Sequence, residues 1–156
     1  AQDILGMQIG IENASTYLIP PGAEMTEAEF ICAVVEEANC LLHLDVNNIV
    51  VNSLNHRFDA SEFLQSLPLE HVCYIHVAGH HVEPDGLVID THGADVIDPV
   101  WQLLGQAYAL CGVVPTCLER DFNFPELSVL GREVEQIATL QARCALHENK
   151  IQRAVA

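Results

Sequence analysis

Apolar positions along this chain fall into short runs separated by polar, turn-forming stretches, and four of the runs end on a side chain with a lone pair to offer. Met7-Gln8-Ile9-Gly10-Ile11 leads into Glu12, Leu41-Leu42-His43-Leu44 into Asp45, Val72-Cys73-Tyr74-Ile75 into His76, and Val113-Val114-Pro115-Thr116-Cys117-Leu118 into Glu119. Runs of this length bounded by turns predict strands, and the first is apolar enough for burial on both faces, as in parallel sheets. Strands are expected over 7–12, 41–46, 72–77 and 113–119.

Helical periods fill the gaps. Thr26 followed by Glu29 is a capping-box signature, and Phe30, Val34 and Ala38, with Cys32 and Val35 nearby, form a stripe running to about Asn39. After the second strand, Asn47-Asn48 and the polar stretch 52–58 predict a loop above the strand end. Asp59 and Glu62 cap a short helix to about Leu67, where Pro68 stops it. From Ala78 to Asp98 there is no helical period, only turn residues and the run ending in Asp90. So long a stretch predicts a functional loop, or a short strand crossing the mouth of a site. Asp98-Pro99 predicts an N-cap with proline at the first helical position, and Trp101, Leu104, Tyr108 and Cys111 carry that helix to Gly112. Beyond a loop over 120–125, Leu127, Leu130, Val134, Ile137 and Leu140 mark a last helix ending after Arg143, with a frayed or helical tail to Ala156. Strand and helix alternate four times, which implies an α/β fold with parallel strands and right-handed crossovers. Chemistry in such folds gathers at the carboxyl ends of the strands, where all of these candidate donors lie.

Charge narrows the partners. Twenty-two acidic against six basic residues give a net charge of −16, which disfavours nucleic acid and suits cations. With 156 residues, half of them hydrophobic, the chain has enough material for one domain with a core. No run approaches the roughly 18 apolar residues that cross a bilayer, and the Ala-Gln-Asp start is no signal peptide, so a soluble cytoplasmic protein without a membrane partner is expected. Six cysteines without a CxxC pair, mostly inside apolar runs, predict buried reduced thiols.

Leu87-Val88-Ile89-Asp90-Thr91-His92-Gly93 places a carboxylate and an imidazole two residues apart, and in extended backbone both project to one side. With Glu12, Asp45, His76 and Glu119 they make a set of hard oxygens and imidazoles suited to iron, manganese or zinc rather than calcium. Four carboxylates in one place call for more than one ion, since unneutralised they would cost more than folding supplies. Simpler roles stay open for some of them: Asp45 as a turn residue, Glu119 as an ion-pair partner of Arg120, His76 as a core histidine. His43 reads as structural, while His56, His71 and His147 lie in loop or tail contexts. No GxSxG elbow, GxxxxGK[ST] loop or GxGxxG turn is present. A glycosidase pair of Glu12 and Glu119 would leave His76, Asp90 and His92 without a task.

The segments Ile11-Glu12-Asn13-Ala14-Ser15-Thr16-Tyr17-Leu18, Leu44-Asp45-Val46-Asn47-Asn48, Ile75-His76-Val77-Ala78-Gly79-His80, Ile89-Asp90-Thr91-His92-Gly93 and Asp98-Pro99-Val100-Trp101 resemble, in order, the multinuclear non-haem iron-dependent oxidative enzymes that modify peptides of the methanobactin and bufferin type. The resemblance covers about residues 7 to 142. It implies a xylose isomerase-like TIM barrel with two or three irons at its mouth, using dioxygen to rework cysteines of a ribosomally made precursor peptide, often with a partner protein that presents the peptide. By motif, Glu12, Asp45, His76, Asp90, His92 and Glu119 match the family's metal positions, and Asn13, Asn47, Asn48 and His80 match groups that orient ligands or face substrate.

A barrel of this type has eight strands, and four are predicted. Residues 1–156 are therefore expected to form a single domain, the C-terminal half of a (β/α)8 barrel, completed by a missing N-terminal half that carries two further histidine ligands, or by a second chain. The expected activity is an iron oxidase in the full-length protein. The alternatives are a zinc- or manganese-dependent isomerase or phosphodiesterase of the xylose isomerase or endonuclease type, and a non-catalytic metal-binding fragment.

Overall fold

Strand and helix meet without a loop at Asp45. In the computed structural model, which describes the backbone of residues 1–155 and the side chains of residues 1–146, β2 (Leu41–Asp45) runs straight into α3 (Val46–His56). The Asp45 carboxylate caps the new helix by accepting from the Asn48 N–H at 2.8 Å. Before this junction come α1 (Gln2–Leu5), β1 (Gly10–Glu12) and α2 (Glu27–Ala38). After it come α4 (Ala60–Ser66), a 3-10 turn (Leu69–His71), β3 (Val72–Val77), β4 (His81–Val82), β5 (Val88–Ile89), α5 (Asp98–Cys111), β6 (Thr116–Leu118) and α6 (Leu127–Val155).

The four long-range strands pair in parallel in the order β1-β2-β3-β6, an α/β arrangement compatible with part of a TIM-like barrel. Among the described residues the sheet is open, with β1 and β6 at its edges, and no barrel closes. β4 and β5 form a separate antiparallel hairpin within the stretch after Ala78 that carries no helical period. No helix of the described residues is long and apolar enough to cross a membrane.

Alternation along the strands divides the two faces of the sheet. Leu42, Leu44, Ile75 and Val77 are fully buried in one core with Ile49, Leu64, Val100, Leu104 and Tyr108 from the helices. His43, Asp45, Tyr74 and His76 alternate with them on the other face. The first strand is accordingly not buried on both faces as expected: it shortens to three residues at an edge, and Gly10 and Glu12 are exposed. β6 is also shorter than the expected 113–119, although pairing extends past its ends through Ile75 N–H to Pro115 O and Glu119 N–H to Val77 O.

Several local expectations need correction. Residues 52–56, expected in a loop, are the second half of α3; asparagine is a poor helix former in isolation, but here Asn52 accepts from Thr16 N–H at 2.7 Å and Asn55 exchanges two hydrogen bonds with the Val88 backbone. Those amides tie neighbouring loops to the helix, which is why they are polar. On α2 the capping box of Thr26 and Glu29 forms, but the buried stripe is Ala28, Ile31 and Val35, and Phe30 is 59% exposed. Ile97 rather than Asp98 occupies the N-cap of α5, putting Asp98 and Pro99 in the first turn. No disulfide joins the cysteines of the described residues, yet only Cys40 is buried, since Cys73 and Cys117 sit on strands of the open sheet. The reading of His147, and of Ala156 at the end of the tail, lies outside the described residues.

Candidate metal centre

Four strand ends bring donors to one place. Glu12 closes β1, Asp45 closes β2, His76 precedes the last residue of β3, and Glu119 follows β6 directly. His76 Nδ1 lies 3.1 Å from Glu12 Oε1 and 2.9 Å from Glu119 Oε2, so carboxylates from both edges of the sheet meet at one nitrogen. Ligand atoms of Glu12, Asp45, His76 and Glu119 all lie within 4.8 Å of one another. A second set, His92, Glu119 and Asp121, meets the same limit, with His92 Nδ1 3.4 Å from each carboxylate. Glu119 belongs to both sets and is placed to bridge them.

Asp90 is in neither set. Its Oδ1 is 2.7 Å from His92 Nε2 and accepts from Asn47 Nδ2 at 2.8 Å, while its N–H donates to the Tyr17 hydroxyl at 3.0 Å. The extended geometry expected for this pair is also absent. β5 stops at Ile89, and His92 adopts a left-handed φ of 50°, so a turn rather than a strand brings ring and carboxylate together.

The asparagines hold this arrangement in register. Asn13 clamps the ends of β1 and β2 by donating to Asp45 O at 2.8 Å and accepting from Asp45 N–H at 2.9 Å, and Asn48 donates to Asn13 O at 3.1 Å. Asn47 Oδ1 lies 2.8 Å from Nδ1 of the buried His80. Since the Asn47 amide nitrogen is already directed at Asp90, its oxygen accepts, and the proton of His80 resides on Nδ1. Burial holds the His80 pKa below its ordinary value despite the pull of Asp90, which keeps the ring neutral.

Three atoms of the centre are buried without an aligned hydrogen-bond partner: Asp45 Oδ2, Glu119 Oε2 and His92 Nε2. The last two sit within ion-pair distance of neighbours, but off the directions a hydrogen bond requires. Leaving such groups unsatisfied costs about 1–3 kcal/mol each. A cation in the strand-end set would neutralise Asp45 and Glu119 together, and one in the second set would engage His92 with Glu119; imidazole nitrogens mixed with carboxylate oxygens are the donor chemistry of divalent first-row metals. The residues present therefore fit a metal.

Charge within the metal-free chain agrees. Burial pushes Asp45 up to about 8, and contact with Asp90, against the opposing effect of burial, pushes His92 up to about 9. Asp90 itself is held low: burial would raise it, but contacts from His92, Ser15 and Asn47 prevail. Both raised groups bind their proton more tightly folded than unfolded, so the stability they confer is lost as pH rises through about 8 and 9. A metal must displace those same protons. Thermal melts of metal-free chain should thus fall between pH 6 and 9, while manganese(II) or zinc(II) affinity, titrated against a chelator, rises over the same interval. An affinity that is flat or falls with pH would contradict this assignment.

Arg120 is not the partner of Glu119. It is 2.9 Å from Asp95 and 3.3 Å from Glu133, leaving Glu119 to the histidines. Two members of the metal-capable groups were not expected. Asp121 stands two residues beyond Glu119, the same spacing that drew attention to Asp90 and His92. His43, read as structural, has its ring centroid 4.0 Å from that of His76 and forms a third metal-capable group with Glu12 and His76. Burial, and the neighbouring His76, hold its pKa low.

The chain matches the model of the RiPP precursor modification enzyme MbnB/TglH/ChrH over residues 1–142. It is 57% identical over 144 residues to a UPF0276 protein of Nitrosospira multiformis, covering 92% of this chain and 51% of the relative. It is 56% identical over 144 residues to a UPF0276 protein of Neisseria meningitidis serogroup B, covering 91% and 51%, and 55% identical over 141 residues to one of Shewanella amazonensis, covering 90% and 50%. The chain spans about half the length of the curated relatives it matches. On the family match and these identities, the chain belongs to the MbnB/TglH/ChrH family of RiPP precursor modification enzymes.

Proposed function

We propose that this chain is the C-terminal half of a (β/α)8 enzyme that uses iron and dioxygen to oxidise cysteine residues of a ribosomally made precursor peptide. The supporting observation is the convergence of Glu12, Asp45, His76 and Glu119 at the ends of parallel strands, with the buried Asp45 Oδ2 left without a hydrogen-bond partner, in a chain of this family. Glu12, Asp45, His76, His92 and Glu119 would hold the metal, with Asp90 as a further ligand or as the group that fixes the His92 ring. Asn13, Asn47, Asn48 and His80 orient them. Two or three irons would supply a Lewis acid for the substrate thiolate and the electrons that activate dioxygen.

The protein's own part is geometry and charge. Asn13 and Asn48 lock the Asp45 backbone and one of its oxygens, so the other oxygen has a single direction to face. His80, Asn47 and Asp90 form a relay that orients His92 from behind, and the neutral His80 keeps a lone pair on Nε2 for a proton at the substrate side. The loop that carries Tyr17 also contributes Thr16 and Leu18 to a groove of about 1180 Å³, lined further by Met25, Phe30, Phe58 and Phe63 and large enough for a peptide segment. An N-terminal half or a second chain would complete the sheet edges, and a partner protein would present the peptide.

The test is metal content by mass spectrometry after anaerobic reconstitution with iron(II), beside the double change Asp90→Ala, His92→Ala. More than one iron per chain, reduced in the double variant, is expected. Rejection of iron with retention of zinc or manganese would overturn the oxidase and point to a redox-silent isomerase or phosphodiesterase.

A further inference from the structure

His43 is the donor that the four-residue set does not use. It lies on the same strand face as Asp45, two residues earlier and therefore one layer deeper along β2. In the β1·β2 ladder its direct partner is Glu12, which places the two side chains side by side. Its ring packs edge-on against His76, with centroids 4.0 Å apart at 69°, and against Tyr74 at 5.1 Å. Its Nε2 is buried with no hydrogen-bond partner. A histidine that merely filled space would direct its polar nitrogens at a carbonyl, a hydroxyl or water. This one leaves a nitrogen bare, and one of its ring nitrogens lies within 4.8 Å of ligand atoms of both Glu12 and His76.

We propose that Glu12, His43 and His76 form a second cation seat beneath the outer one, and that this inner seat selects zinc(II)-class ions over manganese(II)-class ions. The inference rests on the reading of the centre as metal-binding. The outer set is one imidazole among three carboxylates, whereas the inner set is two imidazoles and one carboxylate. Nitrogen donors favour zinc and the later metals, and oxygen donors favour manganese. The seats share Glu12 and His76, so an ion in one draws both residues away from the other. His43 thereby lets one centre discriminate between metals by where each settles.

The experiment measures zinc(II) and manganese(II) dissociation constants of the metal-free chain by chelator competition, for the unchanged chain, His43→Leu and His43→Asn. Both variants should weaken zinc at least tenfold and leave manganese within twofold. His43→Asn keeps a polar group but stops short of the Nε2 position, so it answers the question if the leucine variant fails to fold. Unchanged zinc affinity in a folded variant overturns the proposal. So does equal weakening of both metals, which would make His43 a prop for His76. In both cases the unchanged chain still binds metal, and the outer centre stands. A chain that binds neither metal removes the inner seat and the metal centre together.

Discussion

Replacing Gly79 by alanine is expected to lower the unfolding free energy by on the order of 2–4 kcal/mol and to empty the centre of metal. A Cβ at Gly79 would overlap the Ala94 carbonyl oxygen and lie 2.6 Å from that of Asp95. Both are backbone atoms, so no side-chain rotation relieves the clash. The segment opposite is held at several points. Asp90 is bonded to Tyr17 and Asn47, Asp95 to Arg120, Val96 N–H to Glu133, and Val96 O to the Trp101 indole. His92 lies between those anchors, so any shift that admits the methyl group moves a candidate ligand. Gly86 is the natural control. At the hairpin tip its φ of +94° strains any other residue, but nothing lies within 4 Å, and alanine there should cost only about 1 kcal/mol. Urea midpoints of the two variants decide the matter; a Gly79→Ala chain as stable as Gly86→Ala would show that the loop yields freely.

Among changes to a single ligand side chain, His76→Ala should have the largest effect on metal binding, weakening it more than a hundredfold. The imidazole is the nitrogen on which Glu12 and Glu119 converge, at 3.1 and 2.9 Å, and its loss leaves carboxylates facing one another across an empty position. Removing an outer partner is milder, about ten- to hundredfold. Asn47→Ala, which strips the support from Asp90 and His80 while leaving every strand-end donor in place, supplies that comparison. Chelator competition with manganese(II) on both variants orders them. If His76→Ala weakens binding no more than Asn47→Ala, the metal sits away from the strand ends.

Sequence pattern made the strand-end donors legible because strands are read by alternation. In Leu41-Leu42-His43-Leu44-Asp45 the two buried leucines and the two polar residues separate onto opposite faces, and the structure keeps that division. The same alternation places His43 beside Asp45. From spacing alone it is possible as an inner-face residue yet reads as structural, and only its register with Glu12 distinguishes the two roles. α3 was hidden for another reason. Its asparagines are chosen for loops that are distant in sequence, Thr16 and Val88, so their local propensity misdescribes them. Phe30 misled in the opposite sense, since an aromatic residue at helical spacing reads as core but here faces the groove. His92 depends on a left-handed turn that no spacing rule describes.

The donors that converge on His76 have a consequence for how the chain reaches this state. Glu12, Asp45, His76 and Glu119 are separated by 33, 31 and 43 residues, and each interval holds at least one helix. Bringing them together means closing three long loops, an entropic cost that grows slowly with loop length and must be met before any ligand set exists. A cation consequently has no nucleus to stabilise early in folding, unlike the short, local knuckle of a zinc finger. A cation bound there would arrive last and act as a clasp across a sheet already assembled, so loading should slow the escape from the folded state and leave the rate of reaching it almost untouched.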